Sequence, residues 1–269
     1  MTTTATTPPR PRAAIAERTL RTDRWWLAPL LTFLGLAGFL VYATVRIFVN
    51  DNYWVEEFHY LAPFYSPCLS ESCAPGSSHF LGQPFPQLPS WMSPAMLVLA
   101  LPGGFRATCY YYRKSYYRSF WLSPPACAVP DGHKKYTGET RFPLLIQNVH
   151  RYFFYAAVLV GLVLTYDAVI SFHGKEGGFG IGLGSLILVV NAVLIWGYTL
   201  GCHSCRNIVG GRLTHFSKHP IRYWMWTQVG KLNKRHQLFA WLSMFSVVIA
   251  DAYVWMVASG AINDLRIFN

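Results

Sequence analysis

The chain has 269 residues, of which 52% are hydrophobic, 16% aromatic and only 13% charged. A water-soluble domain carries about twice that charged fraction, which excludes an ordinary soluble fold. The formal net charge is +11, but the cations lie between apolar runs, a pattern that argues for orientation in a bilayer and against nucleic acid as a partner.

In chain order, residues 1–24 are polar, basic and Pro-containing, and read as a flexible cytoplasmic arm. A helix crossing the hydrocarbon core needs about 20 mostly apolar residues. Five stretches meet this, at 25–48, 91–112, 142–172, 180–201 and 237–260. The second is the weakest, because it contains Pro94, Pro102 and Arg106. The expected fold class is therefore all-α: a polytopic membrane protein, five helices bundled over 25–260, with residues 261–269 as a short outer tail.

Basic residues orient the spans. The arm has Arg10, Arg12, Arg18, Arg21 and Arg24, and the loops after spans two and four are rich in Lys and Arg. The loop over residues 50–90 has none. The positive-inside rule then puts the N-terminus in the cytoplasm and the C-terminus outside. The second inner loop contains "IRYWMWTQVGKLNKR", whose mixture of aromatic and basic residues suits the headgroup level or a platform for a cytoplasmic partner.

This topology sorts the cysteines. Cys68 and Cys73, in the Pro/Gly-rich "PCLSESCAPG", face outward, where a disulfide is expected. Cys109, Cys127, Cys202 and Cys205 fall on the reducing inner side, where metal binding or plain burial is expected instead. Spans two to five each bring one donor to the inner end: Cys109, His150, Cys202 and His236. Ionisable groups at such depth are functional candidates. Two thiols and two imidazoles suit zinc or an iron–sulfur centre, and in a Rieske-type [2Fe–2S] cluster two Cys hold one iron and two His the other. The linear spacing departs from the usual C-x-H…C-x-x-H pattern. "GCHSC" leaves Cys202 and Cys205 as alternative or joint ligands. His150 and His236 equally suit the axial positions of a haem b. Structural zinc explains less, since a helical bundle folds without it. Cys127 and His133 read as loop residues, and His203, His215 and His219 as surface groups. Asp167 and Asp251 lie in outer halves of spans, and a structural pair with Arg46 is the favoured reading of them.

The stretches "TCYYYRKSYYRSFWLSPPACAV", "HKKYTGETRFPLLIQNVHRYFFY", "GCHSCRNIVGGRLTHFSKHP" and "LNKRHQLFAW" carry a resemblance. From about Trp25 onward the chain resembles the single membrane-anchor (cytochrome b-type) subunit of actinobacterial succinate dehydrogenase, respiratory complex II, of the mycobacterial type-1 kind. The resemblance implies a multi-pass protein of the bacterial plasma membrane that works at the junction of the tricarboxylic acid cycle and the respiratory chain. A flavoprotein subunit and an iron–sulfur subunit would be the partners, and the anchor would pass electrons from succinate oxidation to menaquinone or another quinone. It further implies a Rieske-type [2Fe–2S] cluster in place of the more common haem b, with Cys109, His150, Cys202 or Cys205, and His236 as candidate ligands.

No G-x-G-x-x-G in a strand–helix context occurs, so no catalytic residue for dicarboxylate chemistry is expected in this chain. A quinone needs an apolar slot with a few donors. Tyr111, Tyr112, Trp121 and Arg151 are the inner-face candidates for its carbonyls. Two readings compete, a transporter and a non-redox structural anchor. A transporter predicts internal repeats and helices broken near the midplane. Here the ionisable residues gather at one face and no repeat is evident.

Overall fold

The computed structural model describes residues 21–129, 143–211 and 213–269. Arg10, Arg12 and Arg18 of the arm, with His133, Lys134, Lys135, Arg141 and Arg212 of the inner loops, lie outside the described residues. Eight α-helices are present among the described residues: α1 (Leu27–Val49), α2 (Pro94–Thr108), α3 (Tyr110–Phe120), α4 (Pro143–Ile170), α5 (Leu183–Leu200), α6 (His203–Gly210), α7 (Pro220–Asn233) and α8 (His236–Ala258). Three of them begin on a proline, whose missing N–H has no intrahelical partner to lose there.

Four helices are long and apolar enough to cross a membrane: α1, α4, α5 and α8. They coincide with four of the five expected spans. The remaining stretch, 91–112, is not one helix. Its 15-residue α2 is about 22 Å long, short of the roughly 30 Å hydrocarbon core. Cys109 then takes an extended backbone (φ −65°, ψ 133°) and the chain restarts as α3. Pro102, inside α2, removes one further backbone donor.

Helix α1 shows what the solvent is. Leu30, Leu34, Val41, Val45 and Phe48 are all exposed, and its buried groups are Leu36 and Arg46. An apolar helix surface this continuous is stable against acyl chains and not against water. The helix stops at Asn50, which adopts the left-handed conformation (φ 50°) that asparagine tolerates at a helix end.

The acidic 50–90 segment is not a bare connection. Strands β1 (Trp54–Val55) and β2 (Tyr60–Leu61) pair antiparallel. Tyr60, Leu61, Ala62, Phe64 and Tyr65 are buried together with Leu188 of α5 and Ala250 and Val254 of α8. Gly184 makes room for this, because any side chain there would overlap the Tyr60 ring. Cys68 and Cys73 are joined as a disulfide in the same segment. The C-terminal residues form a strand as well: β4 (Arg266–Phe268) pairs with β3 (Ile181–Gly182). The buried Asp264 carboxylate accepts from Tyr253 Oη (2.7 Å), Tyr60 Oη (2.8 Å) and the Gly184 amide (3.0 Å), fastening this tail to α8, α5 and the 50–90 segment.

A second core, at the opposite end of the bundle, contains Phe105, Cys109, Tyr112, Phe154, Tyr198, Cys202 and Cys205. Helices α6 and α7 cover this end between α5 and α8. Arg206 lies over the Trp226 ring at 4.5 Å, and Arg222 Nε donates to the Val209 carbonyl at 2.9 Å. Ile221, Trp224 and Met225 share the outward face of α7 and are exposed.

Candidate metal centre and adjoining cavity

The four donors expected at one depth do meet, as two pairs. His150 Nε2 of α4 lies 3.1 Å from Cys202 Sγ, and His236 Nε2 of α8 lies 3.6 Å from Cys109 Sγ. None of the four is more than 8% exposed. Among the described residues, no three of His, Cys, Asp and Glu converge as a single ion would require. What the site offers is two sulfur–nitrogen pairs.

Both sulfurs sit at the same kind of backbone feature. Cys109 is the N-cap of α3 and Cys202 the N-cap of α6, each with an extended backbone. Cys202 Sγ accepts from the Ser204 amide at 3.3 Å. A helix N-terminus favours anionic sulfur, the form that ligates metal. Burial acts the other way: it pushes the Cys202 thiol up to about 11, and the Cys109 sulfur adds a smaller repulsion. A metal would have to displace protons to bind here.

Each imidazole is held in plane by an aromatic ring. His150 stacks on Phe105 with centroids 4.7 Å apart and planes 2° from parallel. His236 stacks on Tyr198 at 4.9 Å and 5°. The outer nitrogens differ. His150 Nδ1 is 2.8 Å from Thr108 Oγ1, whereas His236 Nδ1 is buried without a hydrogen-bond partner.

Cys205, one turn into α6, is buried but meets neither histidine; Cys202 is the thiol in contact. Cys127 is exposed.

Phe105 and Tyr198 have a second role. With Arg106, Tyr112, Tyr116 and Trp121 they line an apolar cavity of about 630 Å³ that runs along α1 to Phe64 of the outer segment. Neither His150 nor His236 lines it. Arg106 Nη1 donates to Tyr112 Oη (2.5 Å), Ser243 Oγ (3.1 Å) and the Ala240 carbonyl (3.4 Å). Its Nε and Nη2 make none of these bonds.

Of the four quinone candidates, Tyr112 and Trp121 line this cavity. Tyr111 instead meets His236 edge-on at 5.5 Å, and Arg151 is exposed on α4, outside the cavity lining. Sequence reasoning noticed Arg106 only as a blemish in span two. A lone cation in an apolar run was the available signal. Asp251 pairs with Arg46 (2.6 Å) and accepts from Tyr42 Oη (2.6 Å), while Asp167 takes the Ser66 hydroxyl.

The family described as actinobacterial succinate dehydrogenase subunit SdhC matches residues 27–260. A chain of the Mycobacterium smegmatis Sdh1 complex in the apo form is 62% identical, with a TM-score of 0.88, over 97% of this chain and 98% of that one. Among curated proteins nothing matches. The chain belongs to the actinobacterial succinate dehydrogenase SdhC family, the membrane-anchor subunits of that bacterial respiratory complex.

Proposed function

We propose that this anchor carries electrons from a cytoplasmic iron–sulfur subunit, fed by a flavoprotein that oxidises succinate, through a Rieske-type [2Fe–2S] centre to a quinone. Five crossings with the N-terminus inside complete the reading, the second crossing being the α2 stretch broken at Cys109. The single observation that carries it is the convergence of Cys109, Cys202, His150 and His236 as two buried sulfur–nitrogen pairs from separate elements. In such a centre Cys109 and Cys202 would hold one iron and His150 and His236 the other. When bound, the centre supplies one-electron transfer at a potential raised by its imidazole ligands.

The chain's own residues do the rest. The pairs exclude water from the donors, and the α3 and α6 N-termini favour anionic sulfur. Phe105 and Tyr198 form a wall one ring thick between the histidines and the cavity. In the cavity, Arg106 would hydrogen-bond a quinone carbonyl and favour the negative charge that builds on it, while Tyr112, whose hydroxyl donates to the Ala240 carbonyl, holds the guanidinium in place. Reduction takes up two electrons and two protons, and the tyrosine-rich α3 borders the inner aqueous side from which the protons come.

The haem b alternative fits less well. Each Nε2 already faces a thiol, and neither histidine lines the 630 Å³ cavity. The test is electron paramagnetic resonance of the purified, reduced complex with an optical scan. A rhombic iron signal lost in His150→Ala and His236→Ala is expected. A haem absorbance band without that signal would sink the cluster reading.

A further inference from the structure

The two histidines of the site are held differently, and one hydroxyl contributes to the difference. Thr108 is the last residue of α2, next to Cys109. Its Oγ1 lies 2.7 Å from the Gly104 carbonyl, four residues back, and 2.8 Å from His150 Nδ1. A threonine hydroxyl has one proton and two lone pairs. The Gly104 carbonyl can only accept, so the proton goes there. The lone pairs then take a hydrogen from Nδ1. His150 is thereby the Nδ1–H tautomer, and its bare Nε2 points at the Cys202 side of the site, 3.1 Å from Sγ.

His236 has no such partner. Its Nδ1 is buried and unbonded, and its ring is held by Tyr198 on one side and by the backbone near Gly201. One imidazole has a directed side-chain bond and the other has none.

We infer that Thr108 is a positioning residue that fixes the tautomer and electron-donating strength of His150 and so sets the redox potential of the centre. The inference rests on the ligand reading given above. An imidazole whose N–H is engaged by an acceptor is a stronger donor to metal, and such outer partners are worth about 10–100-fold in affinity or activity. A stronger donor favours the oxidised centre, so the hydrogen bond holds the potential down.

The experiment uses the whole purified complex with Thr108→Val, Thr108→Ser and His150→Ala. Potentiometric titration followed by paramagnetic resonance is the readout. Thr108→Val keeps the shape and loses the hydroxyl; it should shift the one-electron equilibrium about tenfold toward reduction, which is about 59 mV upward, and change the g-values. Thr108→Ser restores the hydroxyl and should return both. If His150→Ala abolishes the signal while Thr108→Val leaves midpoint and g-values unchanged, the role of Thr108 is overturned and the ligand reading stands. If the unsubstituted complex has no iron–sulfur signal beyond that of its soluble subunits, the ligand reading itself fails.

Discussion

Tyr198 lies flat on His236, planes 5° from parallel, and on its own ring Arg106 places its guanidinium 5.1 Å from the centroid. Imidazole, phenol and guanidinium thus stand in sequence from the sulfur–nitrogen pairs to the cavity. Arg106 lines the cavity and is the charged donor of the three, which makes it the donor to test. A hydrogen bond to a charged group is worth about 1.5–3 kcal/mol, or roughly a 10–150-fold rate effect if made in the transition state. Arg106→Met is expected to lower succinate-to-quinone turnover by that factor. Electron delivery to a soluble artificial acceptor upstream should be unchanged. Unchanged quinone turnover would remove this cavity from the reaction.

The pairing of these groups was legible in part. Cys109, His150, Cys202 and His236 could be placed at one depth because apolar runs of known length set depth directly. The choice of Cys202 over Cys205 could not be read, since both lie on one short helix face and only the restart of the chain at α6 aims one of them at His150. The break at Cys109 was invisible for a similar reason. Residues 91–112 are apolar enough to read as one span, and the turn depends on a single ψ angle. The outer segment hid its core because Tyr60, Phe64 and Tyr65 show no period. They are buried by partners on α5 and α8 far away in sequence. Arg106 was misjudged because its bonds to Tyr112 and Ser243 are a tertiary fact.

Gly201 provides a test of how tightly His236 is held. A Cβ there would lie 3.2 Å from His236 Nδ1 and 2.8 Å from the Gly197 carbonyl oxygen. The carbonyl belongs to helix α5 and cannot yield, so residue 201 must shift and disturb the imidazole packed on it. Overpacking of this kind costs about 1–3 kcal/mol. Gly201→Ala should lower the thermal midpoint of the complex and reduce iron bound in the anchor. Full iron content with an unshifted signal would show that His236 has more freedom than the packing indicates.

Arg46 and Asp251 make a buried ion pair between α1 and α8, far along the bundle from the sulfur–nitrogen pairs. Arg46 Nε donates to Asp251 Oδ2 at 2.6 Å, and the Asp251 side chain is fully buried. Removing one partner leaves a buried charge uncompensated, which costs about 3–5 kcal/mol; replacing both by apolar groups is often neutral or stabilising. Asp251→Leu alone is therefore expected to destabilise strongly, and Arg46→Met with Asp251→Leu to recover most of the loss. Thermal unfolding in detergent reads this directly. The paramagnetic signal of the distant centre should not move in the double variant. A double variant as unstable as the single would show that the pair does more than neutralise itself.

The 50–90 segment has a pH dependence of defined sign. His59, at the turn before β2, stacks on His173, just beyond α4, with centroids 4.1 Å apart and planes 20° from parallel. Burial first, and then the nearby His173, hold the His59 imidazole below its ordinary value of 6.5, with Glu56 opposing in smaller measure. Lys175 and Glu57 link the same two segments 3.5 Å apart, and the Arg266 guanidinium donates to the His173 carbonyl at 2.8 Å. A histidine depressed in the folded state binds fewer protons there than in the unfolded chain. Its contribution is fully present above pH 6.5 and is lost as pH falls through the folded value. The contact between the 50–90 segment and the α4–α5 turn should therefore loosen on acidification. Hydrogen exchange of residues 54–61 compared between pH 7.5 and pH 5 measures this. Faster exchange is expected at the lower pH after correction for intrinsic rates, and His59→Gln should remove most of the difference. Equal pH dependence in His59→Gln would assign the effect to the Glu57–Lys175 pair instead.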